Sequence, residues 1–238
     1  QNINTQYLIK VPERITTNKT RIISRNQQMM RLDTEITTDL NQLQEQLLLD
    51  RLRDYIQKEQ PDVIVFEDYN KGVLTGGVIT SAIAICRERG IITAVDPKRK
   101  NFLSYQNADI FKPNMKEVKE ALNLQSDDTS LASLQQIHKV LSRSLNHRFS
   151  FITLSEKGVF FQEGDNGKLI PSHVRNIADV SGAGDTVIAT ASLVFAASKD
   201  MNIAAEVANI AGGLVCEEVG TAAINKAKLL EECKSLLK

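Results

Sequence analysis

The 238-residue chain has no tryptophan, only three cysteines and three histidines, and an aromatic content of 5%. Cys86, Cys216 and Cys233 are odd in number and lack metal-ligand spacing, which excludes a fully paired disulfide framework and fits reduced thiols in a cytosol. Cys86 and Cys216 lie inside apolar helical patterns and are expected to pack in the core. His138, His147 and His173 show no spacing that suggests a metal site. There is no signal-peptide pattern and no apolar run long enough to span a bilayer. Charge of one sign is also missing. Lys+Arg 29 balance Asp+Glu 29, so no bulk field draws the chain to nucleic acid or an anionic membrane, although local basic spots can still bind a phosphate. No strand-like run leads into GxGxxG, which argues against a nicotinamide-binding domain.

What is present is ordinary for a soluble globular protein: 42% hydrophobic and 24% charged residues, in a length that can bury a sizeable core. Tyr7–Val11 and Thr20–Asp33 read as extended, polar and exposed or interfacial. A helical pattern begins at Asp39, with Leu40, Leu43, Leu47, Leu48 and Leu52 forming one apolar face, and Pro61 ends it. Val63–Phe66 is a short apolar run suited to a buried parallel strand. The unit then recurs: helix from Thr75 to Arg89, strand Ile91–Val95, short strand Ala108–Phe111, and helices from Asn114 and from Thr129 to Ser144. Strand Phe149–Leu154 follows, then a hairpin around residues 164–167 and three closing helices near 184–198, 203–219 and 226–237. Such alternation predicts an α/β fold with a doubly wound, mostly parallel sheet flanked by helices. Ligands of such sheets bind beyond the carboxyl ends of the strands.

The strongest chemical signal is Asp179-Val180-Ser181-Gly182-Ala183-Gly184-Asp185-Thr186, running into an apolar helix. Gly182, Ala183 and Gly184 let the backbone wrap closely around a ligand. Unpaired amides at the helix start, with the positive end of the helix dipole, form an anion hole suited to a phosphoryl group. Asp185, in the first turn, can take a proton from an attacking hydroxyl, while Gly-rich turns and first-turn aspartates also serve as plain caps.

Asp179–Thr186 resembles the C-terminal signature of the ribokinase (PfkB) family of carbohydrate kinases, and the similarity extends from about residue 5 to the C-terminus. Within that family the chain is most similar to the D-glycero-D-manno-heptose 7-phosphate kinases, through Lys19–Arg21, Ser24–Gln28, Arg31–Asp33, Asp68–Gly72 and Asp96–Lys98. The resemblance implies a ribokinase-like fold with a small β lid over residues 1–36 and an ATP-binding, catalytic domain over 37–238. It implies ATP and Mg²⁺ as cofactors, a sugar phosphate as acceptor, a cytoplasmic enzyme, and a homodimer paired through the lid. Its counterparts here are Asp185 as general base, Asn114, Ser155, Gly158 and Asn209 at the nucleotide, and Glu117 at the metal. Asp68, Lys71 and Lys98 would face the sugar or its phosphate, and Lys19, Arg21 and Arg31 lie in the lid segment. By their residues alone, Asn114 and Glu117 also fit a capping box, and Ser155–Gly158 a tight turn between strands. No counterpart of the family's Gly-Gly-rich sugar-site signature precedes the lid, so the N-terminal part of the fold is expected to be missing from this sequence. Gly212 and Gly213, inside a helical pattern, require something packed closely against them.

Overall fold

The computed structural model describes residues 3–24, 27–173 and 175–237. Arg25 and Asn26, part of the Ser24–Gln28 resemblance, lie outside the described residues.

Two sheets form. The smaller is an antiparallel pair, β1 (Asn18–Ser24) and β2 (Gln27–Thr34). The larger has six strands in sequential order: β3 (Val63–Glu67), β4 (Ile92–Asp96), β5 (Ile110–Phe111), β6 (Phe149–Thr153), β7 (Val159–Glu163) and β8 (Asn166–Ile170). β3 to β6 run parallel, and β7 and β8 add an antiparallel edge.

Strand alternation splits the core into two layers. Phe66, Val95, Phe111, Ile152 and Phe160 point to one face, packing with residues of α1 (Gln42–Glu59), α2 (Gly76–Glu88), α3 (Met115–Leu122) and α4 (Leu131–Leu145). Their neighbours Ala94, Ile110, Phe151 and Phe161 point to the other, against α5 (Ala183–Ser198) and α6 (Met201–Val215). A last helix, α7 (Lys226–Leu236), packs on α6.

Three expectations change. Tyr7–Val11 is not a strand: turns close it, with Leu8 N–H donating to Thr5 O and Arg14 N–H to Val11 O. α1 starts at Gln42, where Asn41 and Gln44 make a capping box. Its buried side runs through Leu49 and Ile56, seven residues apart, so Leu43 falls on the solvent side and is 83% exposed. Cys86 is fully buried as expected, whereas Cys216 is only partly so, at the end of α6. Among the described residues, no helix is long and apolar enough to cross a membrane.

Candidate active site

The carboxyl ends of three neighbouring parallel strands deliver charge to one place. β3 ends on Glu67, β4 on Asp96, and Lys112 follows β5 directly. α5 packs against β3 and β4 with its first turn at this end, which brings in Asp185. Carboxylate oxygens of Glu67, Asp96 and Asp185 all lie within 4.8 Å of one another.

Cations offset part of this negative charge. Buried Lys112 places its ammonium 3.1 Å from Asp96, and Lys98 reaches the other Asp96 oxygen at 3.0 Å. Among the described residues Glu67 has no such partner, and its carboxyl is pushed up to about 7, by loss of water first and then by Asp96 and Asp185. Asp185 is exposed, and the Tyr69 hydroxyl lies 3.0 and 2.9 Å from its two oxygens. Burial, the bond to Asp185 and the surrounding carboxylates all raise the Tyr69 phenol above its ordinary range, so it remains a donor.

The octet folds to present its backbone. Asp179 accepts from Ser181 N–H at 2.9 Å and Gly220 N–H at 3.1 Å, tying the turn to the segment after α6. Gly182 adopts φ 82°, the left-handed region that favours glycine, and no side chain caps α5 there. Ala183 N–H makes a 3.3 Å bond to Val180 O, while the amide of Gly184 has no protein partner among the described residues. A Cβ on Gly184 would sit 3.7 Å from the Lys112 ammonium and 3.8 Å from an Asp96 oxygen, so this bend lies directly on the charged cluster.

The predicted nucleotide residues gather along the neighbouring strand ends. Asn114 bridges to Thr153 at the end of β6, next to the Ser155–Lys157 turn. Gly158, at φ 99°, packs so tightly that a Cβ would overlap Ile170 O and stand 2.6 Å from Ser172 N. Asn209 on α6 donates to Pro171 O at 2.8 Å, so Gly158 and Asn209 border the same segment. Gly212 and Gly213 are explained by packing, since Cβ atoms there would meet Val187 at 2.6 Å and Arg175 at 2.7 Å.

Of the other predicted residues, Lys98 touches the carboxylate cluster through Asp96, and the rest bond elsewhere. Glu117 completes a capping box with Asn114, and its second oxygen accepts from Lys98 at 2.7 Å. Lys98 is thereby held between Asp96 and Glu117, and although burial alone would lower its pKa, these two carboxylates raise it. Asp68 is buried and accepts from Tyr105 O–H at 2.9 Å and Asn70 N–H at 2.8 Å, which shapes the loop after β3. Lys71 pairs with Glu35, just beyond β2. In the small sheet Arg31 pairs with Asp33, and Lys19 stands 5.0 Å over the Tyr69 ring. A cavity of about 440 Å³ runs beside β3, lined by Leu49, Leu52 and Phe66 and by Glu67, Tyr69 and Lys71.

Sequence alone does not single out Glu67, Lys112 and Tyr69. The available signal is that three consecutive parallel strands each end on, or just before, an ionisable residue.

Comparison with known proteins gives this arrangement its family. A model described as pfkB family carbohydrate kinase matches residues 1–228. The chain belongs to that family. Bifunctional protein HldE of Desulfatibacillum aliphaticivorans is 36% identical over 228 residues, covering 95% of this chain and 46% of the relative. Bifunctional protein HldE of Helicobacter pylori strain Shi470 is 37% identical over 224 residues, covering 93% and 47%. This pfkB-family chain therefore spans about half the length of those curated relatives. Among solved structures, Escherichia coli phosphofructokinase-2 in complex with potassium superposes with a TM-score of 0.74 at 15% identity, covering 88% of this chain and 67% of that one. Arabidopsis thaliana ribokinase complexed with ribose and ATP gives 0.71 at 12% identity, covering 92% and 69%. These likenesses establish a ribokinase-like α/β fold.

Proposed function

We propose that the chain forms the ATP-binding and catalytic part of a sugar kinase, and that its acceptor is O1 of D-glycero-D-manno-heptose 7-phosphate. The observation that carries the reading is Asp185, exposed in the first turn of an uncapped helix, beside Gly184 and above the Lys112–Asp96 pair. Asp185 accepts the proton of the sugar hydroxyl. The freed oxygen forms a bond to the γ-phosphorus of ATP as the bond to ADP breaks, and amides of Gly182, Ala183 and Gly184 receive the charge that develops on the phosphoryl oxygens.

The hard oxygens of Glu67 and Asp96, which lie within 4.8 Å of each other and of Asp185, would hold Mg²⁺ beside the base. Mg²⁺ held there would supply neutralisation of phosphate charge. Asn114, Ser155, Gly158 and Asn209 would lie along the nucleotide, and Asp68, Lys71 and Lys98 would face the sugar or its phosphate. The heptose assignment rests on the quoted segments between Lys19 and Lys98 and is favoured by the HldE relatives. Exposed Ile22, Ile23, Met29, Met30 and Leu32 on the small sheet support pairing of two copies through this lid.

The test uses the intact polypeptide carrying this chain, with ADP release followed on a panel of heptose 7-phosphate, ribose and fructose 6-phosphate. Highest kcat/KM on the heptose is expected. Robust turnover on ribose or fructose 6-phosphate alone would overturn the acceptor, and ATP binding without phosphoryl transfer to any sugar would overturn the kinase reading.

A further inference from the structure

Tyr69 lies in the loop between β3 and α2, and that loop is fastened at several points. Asn70 N–H and Tyr105 O–H both donate to buried Asp68. Leu40 N–H donates to Gly72 O at 2.9 Å, and the Arg14 guanidinium bonds Thr38 O and Lys71 O. Gly72, at φ 74°, lies so near this strap that a Cβ would overlap Thr38 O. The backbone carrying Tyr69 is therefore fixed, and its phenol can act as a rigid arm.

One hydroxyl proton is shared across both Asp185 oxygens, at 3.0 and 2.9 Å. A carboxylate has about four acceptor positions, so this donor leaves room for a substrate hydroxyl while setting the plane of the group. The other side of Tyr69 meets the lid. Lys19 is the one residue of β1 that is not exposed, and its ammonium stands over the Tyr69 ring at 5.0 Å. A continuous contact thus runs from the small sheet to the carboxylate: Lys19, the Tyr69 ring, the Tyr69 hydroxyl, Asp185.

We propose that Tyr69 is a positioning residue that orients Asp185, and that Lys19 makes this orientation depend on where the β1–β2 sheet sits. This rests on Asp185 being the base. When the small sheet lies as it does here, the ammonium holds the ring and the ring holds the carboxylate. When the sheet moves away, the ring loses its cation and Asp185 loses its fixed plane.

Two readouts test it, on Tyr69→Phe, Lys19→Met and the double variant of the intact protein. The first needs no turnover: the ¹³C side-chain carboxyl resonance of Asp185, identified by its loss in Asp185→Asn. It should shift in Tyr69→Phe, shift less in Lys19→Met, and shift no further when Lys19→Met is added to Tyr69→Phe. The second is kinetic. Tyr69→Phe should lower kcat by about tenfold to a hundredfold with the acceptor KM within about twofold, because a misplaced base slows the step without weakening binding. Lys19→Met should give a smaller loss that vanishes when Tyr69→Phe is already present. An unmoved Asp185 resonance in Tyr69→Phe, or additive losses in the double variant, would overturn the proposal. If the resonance behaves as expected while Asp185→Asn keeps its turnover, the contact stands and the assignment of Asp185 as base fails instead.

Discussion

At the ends of β3 and β4, Glu67, Asp96 and Asp185 crowd their carboxylates within 4.8 Å, while on the α4 side of the sheet His138 and His147 share the Ser150 hydroxyl. Both groups are polar clusters on one scaffold, completed in opposite ways. The Ser150 oxygen lies 2.9 Å from His138 Nδ1 and 2.6 Å from His147 Nε2. One Ser150 hydroxyl thus serves two ring nitrogens, accepting from one and donating to the other. Both rings are buried, and burial lowers the pKa of each. The acid cluster is instead partly open to solvent and carries more negative charge than Lys112 and Lys98 offset. A polar group that is sealed and nearly satisfied serves the fold, and one left open with surplus charge serves a ligand.

Acid titration should show the largest difference. His147 is held down to about 3, mainly by burial, so the folded state resists a proton that the unfolded chain accepts below its ordinary 6.5. The stability is present in full above 6.5 and is lost as pH falls toward 3, at up to about 1.4 kcal/mol per pH unit. His147→Gln should flatten that slope in urea unfolding at a series of pH values, and an unchanged slope would remove the sealed group from the comparison. A smaller loss, about 3 kcal/mol, is expected from Lys112→Met, which strips buried Asp96 of its buried partner but leaves it Lys98. Denaturant midpoints measure it, and no change would mean that Lys98 alone neutralises Asp96.

Much of the scaffold was legible in the chain. Apolar runs bounded by turn residues marked the parallel strands, because a strand covered on both faces is apolar throughout, as Val63–Phe66 is, and the turn at 164–167 marked the antiparallel hairpin. The octet was legible because glycine spacing and a first-turn acid are local features. Leu43 misleads because a leucine-rich helix offers more than one apolar stripe, and only the neighbouring α2 and β3 decide which is buried. Tyr7–Val11 has strand-like composition but, among the described residues, no strand pairs with it. The carboxylate cluster was the least legible part, since Glu67, Asp96 and Asp185 are far apart in the chain and meet only through sheet order. Asn114–Glu117 and Lys98 pose the reverse difficulty: their spacing fits a ligand site, and the side chains bond mainly to each other.

The most direct measurement is turnover and ATP binding of Asp185→Asn in the intact protein, read side by side. With Asp185 as the base, kcat falls by ~10²–10⁴ while the ATP dissociation constant from calorimetry stays within about threefold. Turnover close to that of the unmodified protein, with nucleotide still bound, would contradict it.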